Sequence, residues 1–293
     1  MHKPVLLQSV LQYLDLKPGS VVLDGTGGSG GHSEAVLKAI GPNGSLIVLD
    51  QDEEALKRTG ERLEGLKRKV VLKQLNFRHL DLALSELHIE KVNAVLLDIG
   101  VSSDQLDDPS RGFSFREEGP LDMRMDRSQT RSAAEWVNEE SAETLASIFY
   151  KYGEERFSRK IAQAIVRERE KRYIRTTKEL AGLIEKSVPA RYRFGRIHSA
   201  TRVFQALRIV VNDELSALEE VLPKALSVLQ TKGKLVVISF HSLEDRIVKH
   251  FFLSAARDGS GKILTKKPVQ PNEDELAENS RARSAKLRAI ERC

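Results

Sequence analysis

The sequence predicts a doubly wound α/β fold into which a mostly helical domain is inserted. Short apolar runs alternate with helix-periodic segments over residues 21–98, which is the pattern of a parallel sheet covered on both faces. This alternation stops after Asp98, and a strand pattern returns at 234–240. Five glycines follow the first apolar run, at the point where such folds turn sharply and bind nucleotides.

The predicted elements of the sheet form two groups on either side of the insertion. In the first group, strands are expected at 21–24, 46–50, 70–75 and 94–98, and helices at 32–40, 53–67 and 80–88. In the second group, a strand is expected at 234–240, and two closing strands at 262–265 and 286–291.

The residues between these groups carry no strand pattern. A turn-rich segment at 99–131 precedes a helical segment at 132–186, and one long helix is expected at 203–230, ended by Gly233. We therefore expect one domain formed by residues 1–106 and 209–293, and an inserted helical domain at 107–208.

The charge of the chain is concentrated in this insertion. The whole chain carries a net charge of +5, and residues 107–208 contain 21 Lys and Arg against 16 Asp and Glu, so the remainder is balanced. Localised positive charge is typical of nucleic-acid binding. The alternative is a solvated helical face, which is what charge runs usually form.

The composition also excludes several classes of protein. Cys293 is the only cysteine, so an intrachain disulfide is impossible, and no Cys/His cluster has zinc spacing. The chain has no apolar run of 18 residues and no signal-peptide pattern. We expect a cytoplasmic protein with no metal site and no membrane contact.

The glycine-rich turn allows two interpretations as a ligand site. Residues 25–30 fit the dinucleotide pattern G-x-G-x-x-G, which suggests an NAD-dependent oxidoreductase. Asp24 argues against NAD, because its carboxylate would repel a pyrophosphate but would suit the cationic, phosphate-free S-adenosylmethionine. We expect the ligand to lie against the backbone at Gly30, where a side chain would enter its space. A purely structural glycine turn capped by Asp24 is the simplest alternative.

Two further acids end neighbouring strands. Asp50 follows Asp24 by 26 residues, near the spacing of about 20 residues from a glycine loop to a ribose-binding acid. Asp50 could instead, or in addition, cap the helix that begins at Glu53. Asp98 ends the fourth strand. Because ligands in such folds lie at the carboxyl ends of the strands, we expect these three acids to surround one crevice.

Longer motifs along nearly the whole chain resemble the bacterial ribosomal RNA small-subunit methyltransferase H family. The first is the loop DGTGGSGGHS at 24–33, and the second is DIGVSSDQLD at 98–107. The others are RGFSFR at 111–116, GPLDMRMD at 119–126, RIHSATR at 196–202, FQALRI at 204–209, SFHSLEDR at 239–246 and SRARSAKLR at 280–288.

This resemblance implies a Rossmann-like, S-adenosylmethionine-dependent methyltransferase fold. It implies methylation of the N4 amine of a decoding-centre cytidine in 16S ribosomal RNA, within the small ribosomal subunit. The cofactor contacts that it implies are Gly30, Gly31, His32, Asp50, Phe77, Asp98 and Gln105. On its own, Phe77 would more readily be interpreted as a core residue.

The catalytic hypothesis centres on Asp98. A carboxylate that accepts a hydrogen bond from a cytosine amine would localise the nitrogen lone pair for attack, and Ser102 is a weaker partner. Many amino-methylating enzymes have two prolines and an aromatic residue after this position, whereas this chain has Ile99, Gly100 and Val101. The target base is therefore implied by the resemblance alone.

RNA binding is expected at an acid-free segment of the insertion, residues 187–212. Arginines can hold phosphates while aromatic rings stack on unpaired bases. The candidates are Arg191, Tyr192, Arg193 and Arg196, whereas Phe204 is expected in the core. The alternative from another functional class is an RNA-binding ribosome assembly factor with an inert nucleoside pocket.

Overall fold

The computed structural model describes residues 4–66, 68–193, 195 and 197–293, and the chain divides into two units. The first unit comprises residues 1–100 and 215–293, and the second comprises residues 101–214. None of the helices in the described part of the chain has the length and apolar character needed to cross a lipid bilayer.

The first unit is built on a seven-stranded sheet. Its strands are β1 (Val21–Asp24), β2 (Ser45–Asp50), β3 (Lys69–Gln74), β4 (Val92–Asp98), β5 (Leu229–Ser239), β6 (Gly261–Ile263) and β7 (Lys286–Arg292). Their order across the sheet is β3-β2-β1-β4-β5-β7-β6, in which β7 is antiparallel to both neighbours and the other pairs are parallel. The chain changes direction across the sheet between β1 and β4, so the predicted doubly wound class is confirmed.

Helices cover this sheet and form the second unit. In chain order they are α1 (Leu7–Leu14), α2 (Gly31–Ile40), α3 (Glu53–Leu63), α4 (Leu80–Glu86), α5 (Ser103–Asp107), α6 (Ala133–Glu139), α7 (Ala142–Gly153), α8 (Ser158–Arg169), α9 (Thr177–Ser187), α10 (Ala190–Arg193), α11 (Thr201–Asn212), α12 (Glu214–Val228), α13 (Ser242–Arg257) and α14 (Glu273–Glu278). Single 3-10 turns lie at Glu64–Leu66, Phe77–His79, Pro109–Arg111 and Ser280–Ser284.

The central strands are buried on both faces. Leu46, Ile47, Val48 and Leu49 of β2 are all at most 1% exposed, because alternate residues enter two separate apolar clusters. A continuous apolar run of this kind is typical of parallel strands with helices on both sides. The four parallel strands predicted before Asp98 begin and end within two residues of the observed ones.

The single long helix predicted at 203–230 is wrong in two respects. Asp213 adopts a left-handed conformation with φ 48°, which separates α11 from α12. The second helix ends at Val228, before Gly233, and Leu229 already pairs with Val92 in the sheet. Gly233 lies within β5, where a Cβ atom would stand 2.8 Å from the carbonyl oxygen of Gln230. This position therefore requires glycine for a close backbone approach.

The second unit has a core of its own. Phe149, Leu180, Val203 and Leu207 are fully buried in it, and Phe204 is 4% exposed, as expected. The turn-rich segment is attached to this core through the side chain of Asn212, which accepts from the backbone of Met125 and donates to the carbonyl of Met123, both at 2.8 Å.

Candidate functional site

The three acids at the strand ends lie on one edge of the sheet. Strand β1 is flanked by β2 and β4, and Asp24 is level with Val48 on one side and Leu96 on the other. Asp50 and Asp98 therefore extend two residues beyond Asp24 on either side of it. This is the carboxyl end of the parallel strands, where ligands of doubly wound folds bind.

The glycine loop crosses this edge with two residues in the left-handed region. Gly28 has φ 52° and Gly30 has φ 73°, which are conformations that favour glycine. A Cβ atom on Gly28 would meet no atom within 4 Å, whereas one on Gly30 would stand 3.1 Å from the Cα of Thr59. The expectation that a side chain on Gly30 would enter the ligand's space is wrong, because it would press on α3. Contact of the Gly30 backbone with a cofactor stays a prediction. Gly28 is the glycine that leaves open space.

Asp24 is fully buried beneath the loop. Its carboxylate accepts hydrogen bonds from the Ser33 hydroxyl at 2.6 Å and from the Thr26 N–H at 3.1 Å. The Thr26 hydroxyl oxygen in turn accepts the Asp98 N–H at 2.7 Å. Burial raises the pKa of Asp24 to about 6, although the Ser33 hydrogen bond opposes this rise. Asp24 exposes no surface, so the predicted contact with a cofactor is corrected to an internal anchor that joins β1, α2 and β4.

Asp50 holds the loop and still faces solvent in part. Its two carboxylate oxygens accept the N–H groups of Gly28 at 2.8 Å and of Asp52 at 2.9 Å. Burial raises the pKa of Asp50 to about 6. Each carboxylate oxygen can accept a second hydrogen bond, so Asp50 can still bind ribose hydroxyls. The alternative of Asp50 as a helix cap is wrong, because the Asp52 side chain caps α3 by accepting the Glu54 N–H at 3.0 Å.

His32 and Asp98 meet on this edge with unsatisfied polar atoms. The Nε2 atom of His32 lies 3.4 Å from Oδ2 of Asp98, in a geometry that is not a hydrogen bond. Among the described residues, neither ring nitrogen of His32 and neither lone pair of Asp98 Oδ1 has a hydrogen-bond partner, although all three atoms are buried. Buried polar groups are normally paired. These atoms are thus suited to a polar ligand such as S-adenosylmethionine.

Phe77 and Gly31 complete the same edge. Phe77 begins the 3-10 turn after β3, and it is half-buried. Its Cβ atom lies 3.2 Å from the position that a Cβ on Gly25 would occupy, so the ring starts beside the glycine loop. Gly31 begins α2 and packs against Pro4, where a Cβ would approach to 3.2 Å. The structure therefore brings together all the first-unit residues that the resemblance implied.

Ser102 and Gln105 belong to the second unit and form the capping box of α5. The Ser102 hydroxyl oxygen accepts the Gln105 N–H at 3.2 Å, and the Gln105 side-chain oxygen accepts the Ser102 N–H at 3.0 Å. These bonds satisfy two backbone donors at the start of the helix. Contact of either residue with cofactor or substrate stays a prediction.

The candidate RNA-binding residues differ in their surroundings. Arg191 is exposed, and it makes no hydrogen bond or ion pair with any described residue. The Tyr192 hydroxyl donates to Oε2 of the fully buried Glu155 at 2.7 Å. Arg193 donates to the carbonyl oxygens of Val188 and Lys186 near the end of α9. Arg196 lies outside the described residues, as does Phe194. Tyr192 and Arg193 thus have structural contacts that the sequence did not predict.

Two anchoring residues, Thr26 and Ser33, were not singled out from the sequence. Both lie inside the 24–33 motif, and both hydroxyls serve the buried Asp24 or the backbone beside it. The available signal was the presence of two hydroxyl side chains around an acid that follows a buried strand. An acid in that position needs donors if it is to stay inside the protein.

Comparison with known proteins identifies the family. The model of the MraW methylase family matches residues 1–293. A ribosomal RNA small subunit methyltransferase H of Carboxydothermus hydrogenoformans is 46% identical over 99% of this chain and 97% of its own length. One from Cyanothece sp. is 50% identical over 100% of this chain and 95% of its own.

Among solved structures, one described as an rRNA methylase from Clostridium thermocellum has a TM-score of 0.50. It is 14% identical over 100% of both chains, so it supports the fold alone. Membership of a methylase family removes the alternative of an NAD-dependent oxidoreductase. The chain belongs to the MraW methylase family, and S-adenosylmethionine is its cofactor.

Proposed function

We propose that this protein transfers the methyl group of S-adenosylmethionine to the N4 amine of a decoding-centre cytidine in 16S ribosomal RNA. The relatives named small-subunit rRNA methyltransferases support the class of RNA. The observation that carries the chemistry is the buried, unpaired Oδ1 atom of Asp98 beside the glycine loop.

The first unit would hold the cofactor at the carboxyl edge of its sheet, where several polar atoms can still form hydrogen bonds. Gly28 leaves open space over the loop, and Asp50 holds the loop by accepting the Gly28 N–H. Asp50 would accept hydrogen bonds from the ribose hydroxyls, and Phe77 would stack on the adenine. His32 supplies two unpaired nitrogens to the same edge. S-adenosylmethionine supplies an electrophilic methyl group, so the main task of these residues is in-line positioning.

Asp98 would act on the nucleophile. A hydrogen bond from the N4 amine to Oδ1 turns the nitrogen lone pair toward the methyl carbon. The amine becomes acidic as it is methylated, and Asp98 would take its proton and pass it to solvent. The Ser102 hydroxyl, which still has a proton to donate, is the second candidate for contact with the base.

The inserted domain, which the sequence predicts at residues 107–208, would recognise the RNA. Arg191, Arg193 and Arg196 would contact phosphates, and Tyr192 would contact a base. Exposure favours Arg191 most strongly, because Arg193 and Tyr192 already have partners within the protein.

The test is methyl transfer from labelled S-adenosylmethionine to unmodified small ribosomal subunits, followed by nucleoside mass spectrometry. N4-methylcytidine is the expected product. Methyl incorporation at another atom would refute the assigned base. Cofactor binding without any incorporation into subunits or free 16S RNA would favour the assembly-factor alternative.

A further inference from the structure

One face of α8 carries only cations and one amide. Lys160, Gln163 and Arg167 follow one another at spacings of three and four residues, and Arg159 precedes Gln163 by four. All four side chains are exposed. Such spacings place side chains on one face of a helix. Within α8, no acidic or large apolar residue interrupts this face, which we call the α8 face. Glu170 follows Arg167 by three residues, just beyond the end of the helix.

The cations of the α8 face are unpaired. Arg159, Lys160 and Arg167 make no hydrogen bond or ion pair with any described residue. Two other cations of the same unit form ion pairs. Arg131 pairs with Glu140 at 2.8 Å, and Arg208 pairs with Glu214 at 2.8 Å. The second unit thus has acids available for its cations, yet none among the described residues pairs with a cation of this face.

The position of two of these cations opposes helix stability. Arg159 and Lys160 lie in the first turn of α8, which contains no acid, and Phe157 at its N-cap position makes no side-chain capping bond. The N-terminus of a helix carries a partial positive charge, which favours acids and disfavours cations. A residue that breaks a local rule without an internal gain indicates a function outside the fold.

The α8 face is connected to the exposed Arg191. The Arg156 guanidinium, two residues before α8, lies 5.1 Å from the centre of the Phe157 ring and 4.7 Å from that of Tyr192. Tyr192 is fixed by its hydrogen bond to the buried Glu155. This stack holds the start of α8 against Tyr192 of α10, the residue that follows the exposed Arg191 in the chain.

We propose that the α8 face binds the phosphate backbone of the RNA substrate. This inference rests on the proposed function and adds a second surface to the predicted segment 191–196. Exposed guanidinium groups suit phosphate oxygens, which they contact in a bidentate manner. Lys160 and Arg167 are about 10 Å apart along the helix, so the face can contact more than one phosphate. A protein partner is disfavoured, because the face lacks the apolar centre of protein interfaces.

The test replaces the three cations by neutral side chains of similar length, as Arg159→Gln, Lys160→Gln and Arg167→Gln together. The probe is a fluorescent transcript of unmodified 16S RNA, titrated by anisotropy at several salt concentrations. Three lost phosphate contacts should reduce the slope of log K against log salt by about 2, and affinity at roughly 0.1 M salt should fall about 10–100-fold.

A matched control distinguishes loss of the α8 face from loss of positive charge in general. Lys249→Gln, Lys266→Gln and Lys267→Gln together remove the same charge from exposed sites of the first unit. The control should keep the wild-type slope. A charge-preserving variant, Arg159→Lys with Arg167→Lys, should also keep it. An α8 variant that folds, binds S-adenosylmethionine normally and keeps the slope of the control would overturn the proposal.

The outcomes distinguish this inference from the proposed function. The wild-type protein could transfer no methyl group while the α8 variant shows a reduced slope of log K for RNA binding against log salt. The proposed function would then fail, and the RNA-binding role of the α8 face would be supported. If wild type and α8 variant methylate subunits equally and share one slope, the inference alone fails.

Discussion

The acids at the carboxyl edge of the sheet and the cations of the α8 face use charge in opposite ways. Asp24 is buried and satisfied by hydroxyl and backbone donors, so it gives the glycine loop its shape. Arg159 and Lys160 are exposed, and they make no hydrogen bond or ion pair with any described residue. In this protein, a charged side chain that is buried and hydrogen-bonded shapes the binding site. A charged side chain that is exposed and has no hydrogen-bond or ion-pair partner is available to bind a ligand.

Asp50 and Asp98 lie between these extremes. Asp50 keeps acceptor capacity after binding two backbone groups, and Asp98 keeps an unpaired oxygen. Desolvation raises the pKa of Asp50 to about 6, because burial disfavours its charged form. Keeping Asp50 ionised therefore lowers the stability of the ligand-free protein. A bound ligand that donates hydrogen bonds to this carboxylate would offset the loss.

The largest expected effect is on the rate of methyl transfer by Asp98→Asn. The amide oxygen still accepts a hydrogen bond, but it cannot take the proton, so the single-turnover rate should fall by about 100-fold or more. RNA affinity should not change. Asp258→Asn, at the end of α13, is the control. A loss that disappears at saturating S-adenosylmethionine would reduce Asp98 to a binding residue, and a near-normal rate would eliminate it.

The next effect is on cofactor affinity in Asp50→Ala. Loss of the ribose contacts should weaken S-adenosylmethionine binding by about 1–3 kcal/mol, which calorimetry measures directly. Because the folded pKa of Asp50 is about 6, wild-type affinity should be full above that pH and should fall as pH decreases through it. The variant should show a smaller decrease. Equal affinity of a folded Asp50→Ala at pH 7.5 would exclude the ribose role.

Gly28→Ala tests whether the cofactor lies over the glycine loop. Gly259→Ala is a control with the same backbone strain. Both Gly28, at φ 52°, and Gly259, at φ 79°, are left-handed, with no atom within 4 Å of an added Cβ. Each alanine should destabilise the protein by about 1–2 kcal/mol. Gly28→Ala alone should also weaken S-adenosylmethionine binding, because the methyl group enters the open space above the loop. Equal cofactor affinity in the two variants would place the ligand elsewhere.

The smallest expected effect is on the stability of Tyr192→Phe, and it tests whether this hydroxyl supports the fold or binds RNA. Tyr192→Phe leaves the buried Glu155 without its hydroxyl donor, so the free energy of unfolding should fall by about 1–2 kcal/mol. RNA affinity should stay within about twofold, since the hydroxyl points into the protein. Tyr150→Phe, at a side chain that is 70% exposed, is the control. Reduced RNA affinity at unchanged stability would show that the hydroxyl contacts RNA.

The parts of the fold that could be predicted are those with strong local patterns. The runs ending at Asp24, Asp50 and Asp98 are continuous and apolar, and parallel strands that end in acids must place them on one edge. The break at Asp213 could not be predicted, because apolar spacing continues across it and only its left-handed backbone separates the helices. The capping box of Ser102 and Gln105 was readable as S-x-x-Q before a helix, but the resemblance drew attention to other roles.

Site residues proved harder to assign than site location. Asp24 was expected to contact the ligand, since its position at a strand end was known and its burial was not. The open position at Gly28 could not be predicted, because sequence gives no direction for a missing Cβ. The α8 face has no contiguous charge pattern in the sequence, because buried apolar residues lie between Arg159 and Arg167.

The central claim is that S-adenosylmethionine affinity depends on Asp50 in the first unit, and that RNA affinity depends on the α8 face of the second unit. The most direct measurement is the affinity of both ligands for two variants, Asp50→Ala and the triple α8 variant, in one buffer. We predict that Asp50→Ala loses cofactor affinity and keeps RNA affinity, whereas the α8 variant does the reverse. Loss of both ligands in either folded variant, or loss of RNA affinity in Asp50→Ala alone, would contradict the claim.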